Sequence, residues 1–201
     1  NWRSIVQRSS TDLIAQLNDD DIWTPRFLER LVPPLFDDPT IAMSCCDTTY
    51  VDASGAELPE ATEKWSARSH RDVQPSGVLE GTRDDVLRLI LGYGLAQPAY
   101  AAVMRRSAAV AVDYPPEVDK CQDMWCTYGI FMQGHRFHYL NERLTKYRQH
   151  EGSQTSQGFA SAEDFIYARI LAENPPGPAC DAVRERWAWT RLSRGIRTVR
   201  D

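Results

Sequence analysis

Apolar positions follow two different periods along the chain, and together the two periods predict a mixture of strands and helices. Short runs rich in apolar and β-branched residues predict strands, at 12–17, 41–46, 48–51, 98–104 and 136–140. Apolar residues three and four positions apart predict helices with one buried face, over 24–35, 82–92, 123–133, 161–173 and 179–201. Strands that alternate with helices in this way indicate the α/β class.

Proline, glycine and polar residues mark the connections between these elements. Pro33 and Pro34 are expected to end or kink the first long helix, because a proline ring clashes with the carbonyl group four residues earlier. Asp52 and Gly55 suit a tight turn between two extended segments. The polar stretch 57–76 carries few helix or strand signals, and we expect a mobile loop there.

Composition narrows the class of protein. The 201 residues suffice for one domain, or for a domain with a helical appendage. There are 23 basic and 28 acidic residues, and the net charge of −5 argues against a general nucleic-acid binder, which needs a basic surface. Five cysteines without a CxxC pair argue against a disulfide framework or a zinc site and indicate a reducing cytoplasm. No apolar run reaches the length of a membrane span.

Three adjacent carboxylates, Asp19, Asp20 and Asp21, follow the first predicted strand. Like charges a few ångströms apart repel and raise one another's pKa, so a bound divalent cation is the simplest explanation of the cluster. A solvated acidic turn before a helix, with Asp21 or Thr24 as its cap, explains the same residues without a ligand. Asp123, in the first turn of a later helix, is ordinarily a capping residue as well.

Three segments, taken in their order and spacing, resemble parts of one enzyme family. They are the acidic segment with the aromatic residue and helix that follow it (17–28), Gln122-Asp123-Met124-Trp125, and Leu144 to His150 with Ser153 and Ser156. From Ser10 to about Ser156 the chain resembles the second half of a family 2 glycosyltransferase with the GT-A fold. The resemblance implies an α/β fold, with an open mixed sheet flanked by helices over residues 1–158 and a C-terminal helical extension over 159–201. It also implies that the family's N-terminal nucleotide-binding portion has no counterpart in this sequence.

The resemblance assigns metal binding to the acidic segment. Asp20, with Asp21 or Asp19 and with His150, would hold Mn²⁺ or Mg²⁺ against the diphosphate of a sugar donor. Asn18 stands where the family carries its first carboxylate, and we expect it to contact the donor. The segment 152–158 resembles a lid over the donor phosphates, although a linker has the same composition.

The resemblance assigns acceptor binding to the segment Gln122-Asp123-Met124-Trp125. Asp123 would be the general base, and Gln122 replaces the first member of the family's acidic pair. Trp125 is expected to form the floor of the acceptor site, and Tyr100 is either an acceptor contact or a core residue. Arg148 would pair with the diphosphate or with Asp123.

These roles together imply a metal-dependent, inverting transfer of a sugar from a nucleotide diphosphate sugar to an acceptor hydroxyl group. A metal-dependent nucleotidyltransferase, a two-carboxylate glycoside hydrolase and a non-catalytic, truncated transferase domain that serves as a binding module are the alternatives. The basic helix over 179–201 is either a solvated or packing helix or one that contacts an anionic membrane surface. Contact with the inner face of the membrane would suit a lipid-linked acceptor, but a sugar or another hydroxyl compound is equally compatible with the sequence.

Overall fold

A mixed α/β fold is present in the computed structural model, which describes residues 2–96, 99–150 and 160–198. Its strands are β1 (Leu13–Ala15), β2 (Ile22–Trp23), β3 (Ile41–Val51), β4 (Gly77–Val78), β5 (Ala102–Arg105) and β6 (Arg136–Arg148). Its helices are α1 (Trp2–Arg8), α2 (Phe27–Leu31), α3 (Pro33–Asp37), α4 (Pro59–Arg68), α5 (Arg83–Leu87), α6 (Arg106–Val110), α7 (Gln122–Met132), α8 (Ala160–Glu173) and α9 (Pro178–Thr198). A π-helical turn, Arg88–Gly92, continues α5, and a 3₁₀ turn, Pro116–Val118, precedes α7. The α/β class predicted from the sequence is confirmed.

The strands form one mixed sheet in the order β1-β5-β3-β6-β2, and β4 pairs with β6 as well. Strands β3 and β6 are parallel, whereas the other pairings are antiparallel. The two predicted strands at 41–46 and 48–51 are one strand with irregular register around Asp47. The predicted strand at 136–140 continues to Arg148, because its second half pairs with both β3 and β2.

The strand that leads into the acidic segment is shorter and less buried than predicted. It covers Leu13–Ala15 instead of 12–17, and its residues are only half-buried. Strand β1 pairs with β5 alone and therefore lies at an edge of the sheet, while Leu17 is 47% exposed. Strand β5 begins at Ala102; of its predicted range, residue 98 lies outside the described residues.

The helix predicted over 24–35 is two short helices. The prediction that Pro33-Pro34 interrupt it is confirmed, since α2 ends at Leu31 and α3 begins at Pro33. Thr24 is not the helix cap: its backbone N–H donates to the Leu144 carbonyl oxygen at 2.9 Å, which ties Thr24 to β6. The helix therefore begins three residues later than predicted, after Arg26.

The predicted loop over 57–76 was wrong, because it contains helix α4. Pro59 occupies its first turn, where a missing N–H costs nothing. Its buried residues are Thr62 and Ser66, so the helix lacks an apolar stripe. The Thr62 hydroxyl accepts from the Tyr50 N–H at 2.9 Å and donates to the Leu58 carbonyl oxygen at 2.9 Å. Small polar side chains therefore bind α4 to β3, which hydrophobic periodicity does not detect.

Hydrophobic clusters lie against the sheet on the side of α2 and α3 and on the side of α5 to α9. Helix α9 shares the larger cluster through Ala179 and Val183, and Gly92 allows Ala182 of α9 to approach closely. The five cysteines are all buried, and none of them is part of a disulfide. Within the described ranges, no helix is long and apolar enough to cross a bilayer.

Candidate functional site

The acidic segment after β1 is fastened to the end of β6. Asn18 Nδ2 donates to Asp21 Oδ2 at 2.9 Å, and Gln16 Nε2 donates to Asn18 Oδ1 at 2.7 Å. The other carboxylate oxygen, Asp21 Oδ1, accepts from the backbone N–H of Arg148 at 3.1 Å. Asp21 is 7% exposed, and this burial raises its pKa even though the two hydrogen bonds oppose the effect. Asp21 therefore joins the segment to β6 with both of its oxygens already occupied.

The Arg148 guanidinium holds two loops together. Its Nε donates to the Asp20 carbonyl oxygen at 2.9 Å. Its Nη1 donates to the carbonyl oxygens of Asp52 and Ala53 at 3.1 and 2.9 Å, so the predicted turn at 52–55 abuts the acidic segment. In the part of the chain that the structure describes, Arg148 forms no ion pair with Asp123, whose nearby positive charge is Arg186. The pairing of Arg148 with Asp123 was wrong, whereas its contact with a diphosphate stays a prediction.

Asp20 and His150 meet beside this clamp. Asp20 Oδ2 and His150 Nε2 are 3.0 Å apart, and each side chain is about one-third exposed. Two ligands that lie at right angles about 2.1 Å from an octahedral cation are about 3.0 Å apart, so the pair fits two neighbouring positions around Mn²⁺ or Mg²⁺. Among the described residues no third histidine, cysteine or acidic side chain completes the cluster, since Asp21 is hydrogen-bonded and Asp19 faces solvent. The structure thus offers two candidate ligands.

Asp123 occupies the first turn of α7 and has a different environment. The side chain keeps partial access to solvent, but the surrounding protein excludes enough water to raise its pKa. The backbone N–H groups of Met124 and of Asp123 itself, and the positive charge of Arg186, oppose this rise. A desolvated carboxylate with a raised pKa is a stronger base than an ordinary aspartate.

Gln122 and Trp125, which lie close to Asp123 in the sequence, form hydrogen bonds with other parts of the protein. Gln122 Nε2 donates to Asp119 Oδ1 at 3.0 Å, and its Oε1 accepts from the Arg3 backbone N–H at 3.3 Å. Trp125 Nε1 donates to the Asp113 carbonyl oxygen at 2.6 Å, and its ring lies near Phe165 of α8. The structure therefore places both predicted acceptor contacts in packing around α7, and their binding roles stay predictions.

A row of aromatic side chains begins at Tyr100, beside the acidic segment. Tyr100 and Tyr147 have ring centroids 5.1 Å apart, Tyr147 and Tyr50 5.2 Å, and Tyr50 and Trp65 6.1 Å. Burial raises the pKa of Tyr100, and the negative charge of Asp21 is close enough to add to the rise. Tyr100 is 8% exposed, so the core interpretation fits it, although it also borders the acidic segment.

Three arginines at the site were missed in the sequence. Arg71 is fully buried: it donates through Nη1 to the Cys46 carbonyl oxygen and through Nη2 to the Gly94 carbonyl oxygen, at 3.2 and 2.7 Å, and it pairs with Asp47. Arg186 of α9 and Arg68 of α4 lie near the far end of the aromatic row. The sequence gives no signal for them: Arg68 and Arg71 lie in the stretch predicted as a loop, and Arg186 lies on a basic helix, where an arginine is usually solvated.

No protein-family model matches the chain, and no curated protein matches it at a significant level. What the site does is therefore inferred from its own geometry and chemistry.

Proposed function

We propose that the chain catalyses a metal-dependent, inverting transfer of a sugar from a nucleotide diphosphate sugar to an acceptor hydroxyl group, on a sheet of the GT-A type. The observation that supports this most is the presence of two carboxylates in unlike environments. Asp20 contacts a histidine at a polar, partly exposed position, whereas Asp123 is desolvated by the protein. Carboxylates in different environments take different roles in group-transfer enzymes.

Asp123 is the general base in this proposal. It takes the proton of the acceptor hydroxyl group while that oxygen attacks the anomeric carbon, and the bond from this carbon to the diphosphate oxygen breaks on the opposite face. The raised pKa makes Asp123 a stronger base than an ordinary aspartate, and a positioned base contributes about 10²- to 10⁴-fold.

Asp20 and His150 would hold the divalent cation. When bound, Mn²⁺ or Mg²⁺ supplies Lewis-acid stabilisation of the charge that develops on the leaving diphosphate. Arg148 keeps the Asp20 backbone in place by donating to its carbonyl oxygen, and the half-buried Tyr147 offers an aromatic face next to Tyr100. A cytoplasmic location and contact of α9 with the inner face of the membrane remain predictions.

Calorimetric titration of UDP, GDP and dTDP, with and without Mn²⁺, tests the proposal. We expect one nucleotide to bind the wild-type protein only with Mn²⁺, and Asp20→Ala to abolish that binding. Asp37→Ala is the matched control, because Asp37 is an exposed carboxylate at the end of α3. Nucleotide binding that Asp20→Ala leaves intact, or that needs no metal, contradicts the proposed site.

Turnover separates the two carboxylates. We expect Asp123→Asn to bind the nucleotide as the wild type does but to transfer the sugar about 10²- to 10⁴-fold more slowly. Cleavage of a glycosidic substrate without any nucleotide would indicate a hydrolase instead.

A further inference from the structure

Arg186 reaches from α9 to the loop that follows the π-helical turn. Its guanidinium lies against Gly94, at the place where a side chain of residue 94 would begin. Gly94 has a φ of +73°, which favours glycine, and its carbonyl oxygen accepts from Arg71 Nη2 at 2.7 Å. The buried Arg71 therefore holds the backbone of Gly94 in place. Because Gly94 has no side chain, the Arg186 guanidinium can occupy the space beside it.

Arg68, the last residue of α4, lies close to the same face of α9. Its guanidinium sits over the ring of Trp189, one helical turn after Arg186. Burial and then the positive charge of Arg186 lower the pKa of Arg68 to about 10. The same Arg186 charge opposes the burial that raises the pKa of Asp123. Arg186 is thus within electrostatic reach of both Arg68 and Asp123.

Within the described ranges, neither guanidinium has an oppositely charged group in direct contact. Among the described residues, Arg186 and Arg68 form no ion pair and donate no hydrogen bond. By contrast, Arg184 of the same helix pairs with Asp181 at 2.8 Å. The exposed Glu185 attracts Arg68 only weakly, and its charge affects the pKa of Arg68 less than the charge of Arg186 does. Two like charges held together at a partly buried position repel each other, and a bound anion would relieve that repulsion.

Trp65 lies one turn before Arg68 on α4 and links the two arginines to the aromatic row. The Nε1 atom of Trp65 is buried and has no acceptor among the described residues. The Trp65 ring contacts Tyr50, the last tyrosine of the aromatic row, and Tyr50 in turn lies within reach of the Arg186 charge. Arg186 and Arg68 therefore lie around the Tyr50 and Trp65 end of the row.

We propose that Arg186 and Arg68 form a subsite for a phosphate monoester carried by the acceptor. This inference rests on the proposed transfer reaction, which puts the acceptor hydroxyl group at Asp123. A phosphate monoester carries a charge of about −1.5 to −2 near pH 7, which matches two guanidinium groups, and planar guanidinium forks bind its oxygens in pairs. The acceptor is then either a soluble phosphorylated compound or the phosphate headgroup of a lipid.

Titration of sn-glycerol 3-phosphate into the full chain, in metal-free buffer, tests the subsite. We expect saturable binding that weakens at least tenfold in Arg186→Gln and in Arg68→Gln. The control variant is Arg184→Gln, which removes an exposed arginine from the same helix and should leave the affinity unchanged. Arg186→Lys keeps the charge and should retain part of the binding, and thermal melting of each variant checks that it folds.

The outcomes separate this inference from the proposed reaction. If glycerol phosphate binds only when Mn²⁺ is added, and Asp20→Ala abolishes that binding while Arg186→Gln leaves it unchanged, the phosphate occupies the donor site and the inference is refuted. An absence of binding to the wild-type protein, or equal losses in Arg186→Gln and Arg184→Gln, refutes it too. If Arg186→Gln loses glycerol phosphate but keeps Mn²⁺-dependent nucleotide binding, both proposals are supported. If the wild type binds glycerol phosphate through Arg186 but binds no nucleotide, the anion subsite stands and the transfer reaction fails.

Vesicles distinguish the two sources of phosphate. The protein is sedimented with phosphatidic acid vesicles and, for comparison, with phosphatidylcholine vesicles. If it sediments only with phosphatidic acid, and Arg186→Gln reduces this while Arg184→Gln does not, the subsite binds a lipid headgroup. Binding of glycerol phosphate without vesicle sedimentation would assign it to a soluble acceptor.

Discussion

Replacement of Arg148 by Met tests whether this residue is chiefly a clamp between loops or chiefly a ligand of the donor. The substitution keeps much of the aliphatic side chain and removes the guanidinium, which donates to the carbonyl oxygens of Asp20, Asp52 and Ala53. The backbone N–H of residue 148, and with it the hydrogen bond to Asp21, is retained.

The expected cost follows from these three hydrogen bonds. A hydrogen bond to a charged group contributes about 1.5–3 kcal/mol, but the side chain is only partly buried and water would replace some of the lost partners. We therefore expect the free energy of unfolding to fall by roughly 2–4 kcal/mol in all. For a domain of this length 1 kcal/mol corresponds to about 2–4 °C, so the midpoint of thermal unfolding should fall by about 4–16 °C.

Urea unfolding and Mn²⁺-dependent nucleotide titration give the two readouts. The control is Arg26→Met, since Arg26 is exposed and lies 3.9 Å from Glu29, a surface pair worth about 0–1 kcal/mol. Arg148→Met should lose stability and, because the Asp20 backbone is released, also nucleotide affinity. Unchanged stability together with a large loss of nucleotide affinity would refute the clamp and favour direct contact with the diphosphate.

Two other perturbations address the base and the buried core of the site. Because burial raises the pKa of Asp123, the basic carboxylate accumulates only above that raised value. The kcat/KM of the wild type should therefore rise with pH through it, and a pH–rate profile of Asp123→Asn should lack this limb. The free energy of unfolding should fall as pH rises from the ordinary aspartate pKa to the raised one, since the unfolded state loses its proton first, and Asp123→Asn should remove that slope in urea titrations at several pH values. Arg71→Met should cost about 3–5 kcal/mol in urea unfolding, because it removes the buried cation nearest to Asp47 and leaves this buried carboxylate with Arg143 at 3.9 Å. Asp47→Asn in the same chain should recover part of the loss, and a cost below about 1 kcal/mol would contradict this account.

The sequence predicts those elements whose stability comes from apolar contacts. Strand β3 is such a case, since all its residues except Ser44 and Asp47 are apolar, aromatic or β-branched, and almost all are buried. The second half of β6 is different, because its side chains are largely polar and charged. They are joined to distant residues by ion pairs: Arg30 with Glu142, Glu63 with Arg143 at 2.8 Å and Glu57 with Lys146 at 3.0 Å. A local sequence pattern does not reveal such distant partners, and the predicted strand therefore ended at 140.

The same distinction applies to the site. Asp20 and His150 were placed together from the resemblance, and the structure brings them into contact. Arg186 could not be assigned, because its role depends on the packing of α9 against Gly94, ninety-two positions earlier in the chain. Trp125 was expected at the acceptor but is held by Asp113, since the indole N–H of a partly buried tryptophan binds the acceptor that the fold offers.

The register of strand β6 with its neighbours sets the positions of several residues at the site. The strand is bonded along one edge to β3 and along the other to β4 and β2, and its two ends carry His138, which contacts Ser44 at 3.0 Å, and Arg148. Side chains alternate between faces along a strand, so a slip by one residue would turn the Arg148 guanidinium away from both loops. Deletion of a single residue between 141 and 147 should consequently be more harmful than the loss of any one side chain there, because residue count along this strand sets where both loops are held.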